Sequence, residues 1–409
     1  MKKNLNLSIN FLLLLVMAVY LLFPMEIYHS QAAQPFMSSV FSRRELSDAA
    51  GDLDTSFGSG GKVTTSIVTG SDEATAIAIQ NDGKIILGGY TSVNSKSFAL
   101  ARYLTSGSLD TSFGSNGLVV TNPTPITDEI SDIIIQPDGK IVAAGYAWDG
   151  SSSSIVLARY LSNGSLDSSF DADGIKVTNL GGFSGANALA IQSDGKIVVA
   201  GFWDNQMIIL RYNINGSLDT SFNGSGRVTV SNYMSANDVL IQPHDQKIVA
   251  VGMNASDFAI VRLNSNGTLD SSFDGDGKLT TDFGSYDVGY AMAIQSDQKL
   301  LACGSSGSGT DTNIVLARYQ SNGSLDLSFD SDGKVTTNIA GSDECRSIAI
   351  QDNGKIVVGG TAGAQFALAR YNSSGSLDQT FSQDGLVRTS IWDYTYGNAI
   401  AIQQNDGRI

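Results

Sequence analysis

One pattern constrains this chain more than any other. Leu-Asp-x-Ser/Thr-Phe recurs seven times, with its acid at Asp54, Asp110, Asp167, Asp219, Asp270, Asp326 and Asp378, at spacings of 56, 57, 52, 51, 56 and 52 residues. A period of this size points to a repeat architecture, because one such unit cannot bury its own apolar faces and must pack on its neighbours. The units start at Leu53, Leu109, Leu166, Leu218, Leu269, Leu325 and Leu377.

Each unit keeps an internal order. In the first, "GKVTT" is followed by "AIAIQNDGKIILGG" and then by "FALARYLTSGSLD", which runs into the next unit. These are short β-branched or alternating runs punctuated by turn residues, the signature of strands rather than helices. Strands are predicted near Lys62 to Ser66, Thr75 to Gln80, Lys84 to Tyr90 and Phe98 to Tyr103, with Asn81-Asp82-Gly83 supplying the positive φ of a tight hairpin. The 44 glycines among 409 residues fit such frequent turns. Ile77 and Ile79 alternate with Ala76 and Ala78 rather than with polar residues, so both faces of the strand are expected to be buried. Four strands per unit, repeated at this period, predict an all-β propeller. The seventh unit stops at Ile409, before its third strand is complete, so the expectation is a seven-bladed plan with an incomplete last blade, with a six-bladed ring as the alternative.

The LDxSF, IQxDGKI and ARYxxxGSLD signatures closely resemble the delta-60 repeat, a bacterial extracellular β-propeller repeat family, over residues 53–409. The resemblance implies a propeller on an exported bacterial protein and brings no general catalytic activity with it. The fourth and seventh units depart from the pattern by one extra residue in the turn between the second and third strands, "IQPHDQK" and "IQQNDGR".

Upstream, Lys2 and Lys3 precede an apolar run from about Phe11 to Phe23, followed by small residues at Ser30, Ala32 and Ala33. This is the three-part pattern of a secretory signal peptide over residues 1–33, with 34–52 as a linker or ring-closing segment. The apolar run is shorter than the roughly 20 residues that span a bilayer. Secretion or display at the cell surface follows, the periplasm included, with no membrane span after cleavage. A formal charge of −15 argues against nucleic acid as a partner.

What recurs in every unit is a poor catalytic candidate, since a reactive site needs an asymmetric constellation. The seven Leu-Asp acids, the Phe residues Phe57 to Phe381, and Arg102, Arg159, Arg211, Arg262, Arg318 and Arg370 are read as locks between one blade and the next. His244 is the only histidine beyond the signal region, which argues against a His triad or a multi-His metal site. Cys303 and Cys345 align with small or apolar residues of other units and are read as core residues rather than a disulfide. Three units carry Asp-x-Asp-Gly, with Asp171 and Asp173, Asp274 and Asp276, and Asp330 and Asp332 in the pattern that opens a calcium loop, though without its downstream glutamate. Calcium is thus a candidate and no cofactor is required.

In an up-and-down blade, the first-to-second and third-to-fourth strand loops emerge on one face of the disc, and here they are the loops that vary. Trp148, Asp149, Trp203, Asp204, Trp392, Asp393, Tyr394 and Tyr396 all fall in them, suited to stacking on sugars or gripping a protein partner. The expected function is a non-enzymatic binding or surface-interaction module for carbohydrate or protein. The alternatives are a polysaccharide hydrolase or lyase and a purely structural surface protein.

Overall fold

A computed structural model of the chain describes residues 11–12, 50–391, 395–403 and 407–409. Most of the expected signal peptide and linker therefore lies outside the described residues, as do Trp392, Asp393 and Tyr394. Among the described residues no helix is long and apolar enough to cross a membrane.

The hairpin chemistry acts as read. Gln80 N–H donates to Lys84 O (2.8 Å), Gly83 N–H donates back to Gln80 O (2.8 Å), and Gly83 takes φ 81°. In the longer turn of the fourth unit, Gln246 adopts φ 57° and absorbs the extra residue, while Gln242 N–H still bonds Lys247 O.

Six sheets result, antiparallel throughout except where Leu12 pairs in parallel with Glu73. Blade 1 comprises Ser71–Ile79, Ile85–Ser92, Lys96–Tyr103 and Leu118–Thr121. Blade 2 comprises Thr127–Ile135, Ile141–Trp148, Ser153–Tyr160 and Ile175–Thr178. Blade 3 comprises Ser184–Ile191, Ile197–Trp203, Gln206–Tyr212 and Arg227–Val230. Blade 4 comprises Ser235–Ile241, Ile248–Asn254, Asp257–Leu263 and Lys278–Thr281. Blade 5 comprises Asp287–Ile294, Leu300–Ser308, Asp311–Tyr319 and Lys334–Thr337. Blade 6 comprises Asp343–Ile350, Ile356–Ala362, Gln365–Tyr371 and Leu386–Thr389. Two-residue strands at Phe11–Leu12 and Thr64–Thr65 extend the inner edge of the first sheet.

Two expectations are corrected here. The fourth strand of each blade belongs to the next sequence unit, so blade and repeat are out of phase by one strand. Backbone pairing across the joint holds it there: Asp110 N–H bonds Arg102 O (2.8 Å) and Arg102 N–H bonds Gly117 O (2.9 Å), which folds the Leu-Asp turn back and sets Leu118 beside Ala101. The ring also has six four-stranded blades, not seven. Leu386–Thr389 of the seventh unit completes blade 6, and the described residues beyond it form no strand. Instead Ile400 and Ile409 pack on Val357, Leu368 and Phe381 of the last blade, and Ala399 packs near Ala74 and Leu87 of the first.

Apolar clusters lie between blades, as two-faced burial predicts. Ala200 and Ile209 of blade 3, for instance, meet Val239 and Ala250 of blade 4. The blades approach so closely that a Cβ at Gly88 would lie 2.6 Å from Ile133 Cγ2 and 3.3 Å from Ile130 Cγ2 of the next blade. The same pair of slots in blades 5 and 6 is filled by Cys303 and Cys345. These form a disulfide, with a Cα–Cα distance of 5.9 Å. The reading of the two cysteines as core residues rather than a disulfide is therefore corrected: both are buried, but each occupies the slot that faces the other and the two are bonded.

The recurrent Asp, Phe and Arg do lock neighbours together. Arg159 donates Nε to Asp167 Oδ2 (2.8 Å) and Nη2 to Ser169 Oγ (3.0 Å), lies 4.7 Å from the Phe170 ring centroid, and reaches Ile214 O in the following turn. Lys140 joins Asp167 at 3.4 Å. Burial opposes ionisation of Asp167, yet hydrogen bonds from Ser169 and the charge of Arg159 hold its carboxyl down at about 2. Equivalent clamps join Arg102, Arg211, Arg262, Arg318 and Arg370 to Asp110, Asp219, Asp270, Asp326 and Asp378.

Candidate functional site

The innermost strand of every blade slips register by one residue at the same place, leaving Thr75, Ser131, Asn187, Asn237, Tyr290 and Arg346 on β-bulges. A bulge re-aims its side chain out of the alternating pattern. All six, together with Asn398, line a cavity of about 400 Å³ enclosed by the inner strands. Several also tie the ring together: Thr75 Oγ1 donates to Ile130 O (2.6 Å), Asn187 Nδ2 to Ala236 O (2.8 Å), Asn237 Nδ2 to Gly289 O (2.8 Å) and Asn398 Nδ2 to Ala74 O (2.9 Å).

Four acids, Glu73, Glu129, Asp132 and Asp238, are part of the lining. Glu73 accepts from Tyr90 OH (2.7 Å) and Asn398 Nδ2 (3.2 Å), and Glu129 accepts from Tyr146 OH (3.0 Å) and Lys96 Nζ (2.5 Å). Lys96 Nζ also sits 3.7 Å from the Tyr90 ring centroid. Burial and the charge of Glu129 push the Tyr146 hydroxyl up to about 12, and burial with the Glu73 contact raises Tyr90 as well. Across the cavity, Arg346 donates Nε to Glu344 (2.7 Å) and stacks 4.4 Å from the Tyr290 centroid. Deeper in, Asp132 takes hydrogen bonds from Ile133 N–H (2.8 Å) and Leu189 N–H (2.9 Å), and Asp238 from Val239 N–H and Met292 N–H (both 2.7 Å). Burial lifts the Asp132 carboxyl to about 7, against those backbone donors, and lifts Asp238 to about 6.

The ring at the bulges was not among the candidates read from sequence, although a signal exists. In the aligned stretches "TAIAIQ", "SDIIIQ", "NALAIQ", "NDVLIQ", "YAMAIQ", "RSIAIQ" and "NAIAIQ", the first position changes chemistry while most others keep theirs. A position that varies inside a repeated buried strand marks where the scaffold leaves room for specificity.

The predicted aromatic residues assemble in part. Trp148 stacks on Phe183 at 5.7 Å and 13°, and Phe183 is 53% exposed. Trp203 donates Nε1 to Gly181 O (2.7 Å), Arg227 lies 5.0 Å from its ring, and Asp204 Oδ1 accepts from Phe183 N–H (2.8 Å). The loop between blades 2 and 3 thus carries the Trp148–Phe183 stack, and Trp203 is anchored to the same loop through Gly181. Asp149 accepts from the backbone of Ser152 and Ser151, which holds its exposed carboxyl at about 2. Tyr396 is exposed.

The Asp-x-Asp-Gly acids act in turns. Asp173, Asp276 and Asp332 each cap the N–H two residues on, at 2.9 Å, and Asp171, Asp274 and Asp330 hold left-handed φ near the joint to the next turn. A different trio, Asp257, Asp282 and Asp287, brings one carboxylate oxygen each within 4.8 Å of the others, a spacing that would suit a divalent cation. The three acids come from two blades, which no local motif could reveal.

Six segments of the chain, 80–113, 136–170, 192–222, 245–273, 295–329 and 351–381, match the model of a family described as a domain of unknown function (DUF5122) beta-propeller. Each match ends on the Phe of Leu-Asp-x-Ser/Thr-Phe. The chain is a β-propeller repeat protein. No curated protein matches it. Among solved structures it is similar to the periplasmic gluconolactonase PpgL of Pseudomonas aeruginosa, at 12% identity and a TM-score of 0.55, over 80% of this chain and 93% of that one. It is also similar to virginiamycin B lyase from Staphylococcus aureus, at 12% identity and a TM-score of 0.50, over 78% and 85%. At such identity the likeness shows the fold alone.

Proposed function

We propose that this propeller is an exported, non-enzymatic binding module that takes a carbohydrate at its central cavity, with the aromatic loops of blades 2 and 3 as a second contact. The cavity carries the reading: a polar ring of Thr75, Ser131, Asn187, Asn237, Tyr290, Arg346 and Asn398, open enough at about 400 Å³ for one or two sugar rings. Convergent amides, hydroxyls and carboxylates on a rigid ring suit polyhydroxylated ligands, and exposed aromatic faces suit pyranose stacking. Export rests on the N-terminal pattern and the delta-60 resemblance. Calcium, in this reading, belongs at Asp257, Asp282 and Asp287 rather than at the repeated turns.

A second reading, a polysaccharide hydrolase or lyase, is favoured by one observation: Asp132 is held near neutrality in the cavity wall. Against it, both oxygens of Asp132 are engaged by backbone N–H groups. The test is a glycan array probed with the purified chain, with and without calcium, comparing wild type with Arg346→Ala, Asn187→Ala and Trp203→Ala. Loss of binding in the two cavity variants is expected. Binding untouched by any of them would overturn the proposal, and turnover abolished by Asp132→Asn would replace it with the enzyme.

A further inference from the structure

The rim of the cavity contains a repeated device that is completed in one copy only. In blade 2, Tyr146 OH donates to Glu129, and the ammonium of Lys96, reaching over from blade 1, bonds the same carboxylate while resting on the Tyr90 ring. Blade 1 repeats the phenol and the acid: Tyr90 OH donates to Glu73 at 2.7 Å, and Glu73 pairs with Tyr90 across the strands as Glu129 pairs with Tyr146. Among the described residues, however, no lysine or arginine comes within 4 Å of Glu73. The reason is topological. Lys96 begins the third strand of the preceding blade, and what precedes blade 1 in the ring is the strandless segment around Asn398, whose uncharged amide takes Glu73 Oε1 at 3.2 Å.

The charge of the whole lining points the same way. Glu73, Glu129, Asp132 and Asp238 face the cavity, and its one arginine, Arg346, is already paired with Glu344 and stacked on Tyr290. A carboxylate oriented by a phenol, at the rim of a cavity lined by four acids and one already paired arginine, is a ready acceptor for an ammonium donor. We infer that the cavity selects a ligand bearing a protonated primary amine, in its sugar form an amino sugar whose nitrogen is free rather than acetylated, held by Glu73 as Lys96 is held by Glu129. This rests on the cavity being the binding site proposed above.

Titration calorimetry tests it with three probes of equal length: glucosamine oligomers, N-acetylglucosamine oligomers and cello-oligosaccharides. Wild type is expected to bind the amine-bearing oligomer at least about tenfold more tightly than the other two, the scale of one charge-assisted hydrogen bond. Glu73→Gln, which keeps the shape and the Tyr90 contact, should erase that preference with no change in melting temperature. Lys96→Ala, which uncovers Glu129, should strengthen amine binding. If acetylated or neutral oligomers bind as well as the amine, or if Glu73→Gln leaves the preference intact, the inference fails. When Arg346→Ala still abolishes binding of a neutral oligomer in that experiment, the cavity stands as the site and only the amine preference falls.

Discussion

Arg408 Nη1 lies 2.7 Å from Asp54 Oδ2, an ion pair between the last unit and the first. The two residues stand where Lys84 and Asp110, Lys196 and Asp219, or Lys355 and Asp378 stand between consecutive units. Next to it, Ser382 N–H donates to Ala50 O (2.7 Å), the counterpart of Asp171 N–H on Asn215 O (2.9 Å). The ring is thus closed by the joint that links every other pair of neighbours, with an arginine in the place of lysine, and among the described residues no strand-borne arginine completes the clamp on Asp54.

That seam should be the weakest joint. Arg408→Ala is expected to destabilise by about 1–3 kcal/mol, the penalty of leaving a buried acceptor short of its partner. Native-state hydrogen exchange should speed up in blades 1 and 6 before blades 3 and 4. Uniform acceleration around the ring would show that the seam is no weaker than the rest.

An interior clamp should matter more. Asp219→Ala leaves Arg211 buried, with only neutral oxygens and the Phe222 ring around it. Removing one member of a buried pair typically costs about 3–5 kcal/mol. Urea unfolding of this variant beside Arg408→Ala compares the two joints directly, and a loss no larger than that at the seam would contradict the clamp's role.

The disulfide joins blades 5 and 6 across a sequence separation of 42 residues. Replacing Cys303 and Cys345 together with alanine should lower stability by about 2–4 kcal/mol, mainly by freeing the unfolded chain. A melting temperature unchanged by reductant would argue against the bond.

Acid and neutral limbs of the stability profile should have opposite slopes. The clamp acids, lowered from 3.8 to about 2 at Asp110, Asp167, Asp219, Asp270 and Asp378, contribute stability that is present above pH 4 and lost as the pH falls toward 2. Asp132 and Asp238, raised to about 7 and 6, bind protons more tightly folded than unfolded, so stability falls as the pH rises from about 4 to 7. Melting temperatures across pH 2–8 should therefore peak below neutrality, and Asp132→Asn should flatten the upper limb. A wild-type profile that is level from pH 4 to 7 would refute the assignment.

Everything local was legible in the sequence. Strands such as Ile85–Ser92, their Asn-Asp-Gly turns, the two-sided burial and the interlocking role of Asp167 with Arg159 and Phe170 follow from short-range periodicity and turn chemistry, which a single strand or hairpin already expresses. The tertiary structure alone decided the rest: that Leu118–Thr121 joins the blade before its own unit, that six blades and a strandless wedge make the ring, that Cys303 faces Cys345, and that seven variable side chains from Thr75 to Asn398 meet around one cavity. Each of these depends on which slots of neighbouring blades come face to face, over separations of 40 residues or more for the cysteines, and no local preference specifies that. Closure of the ring under close packing does.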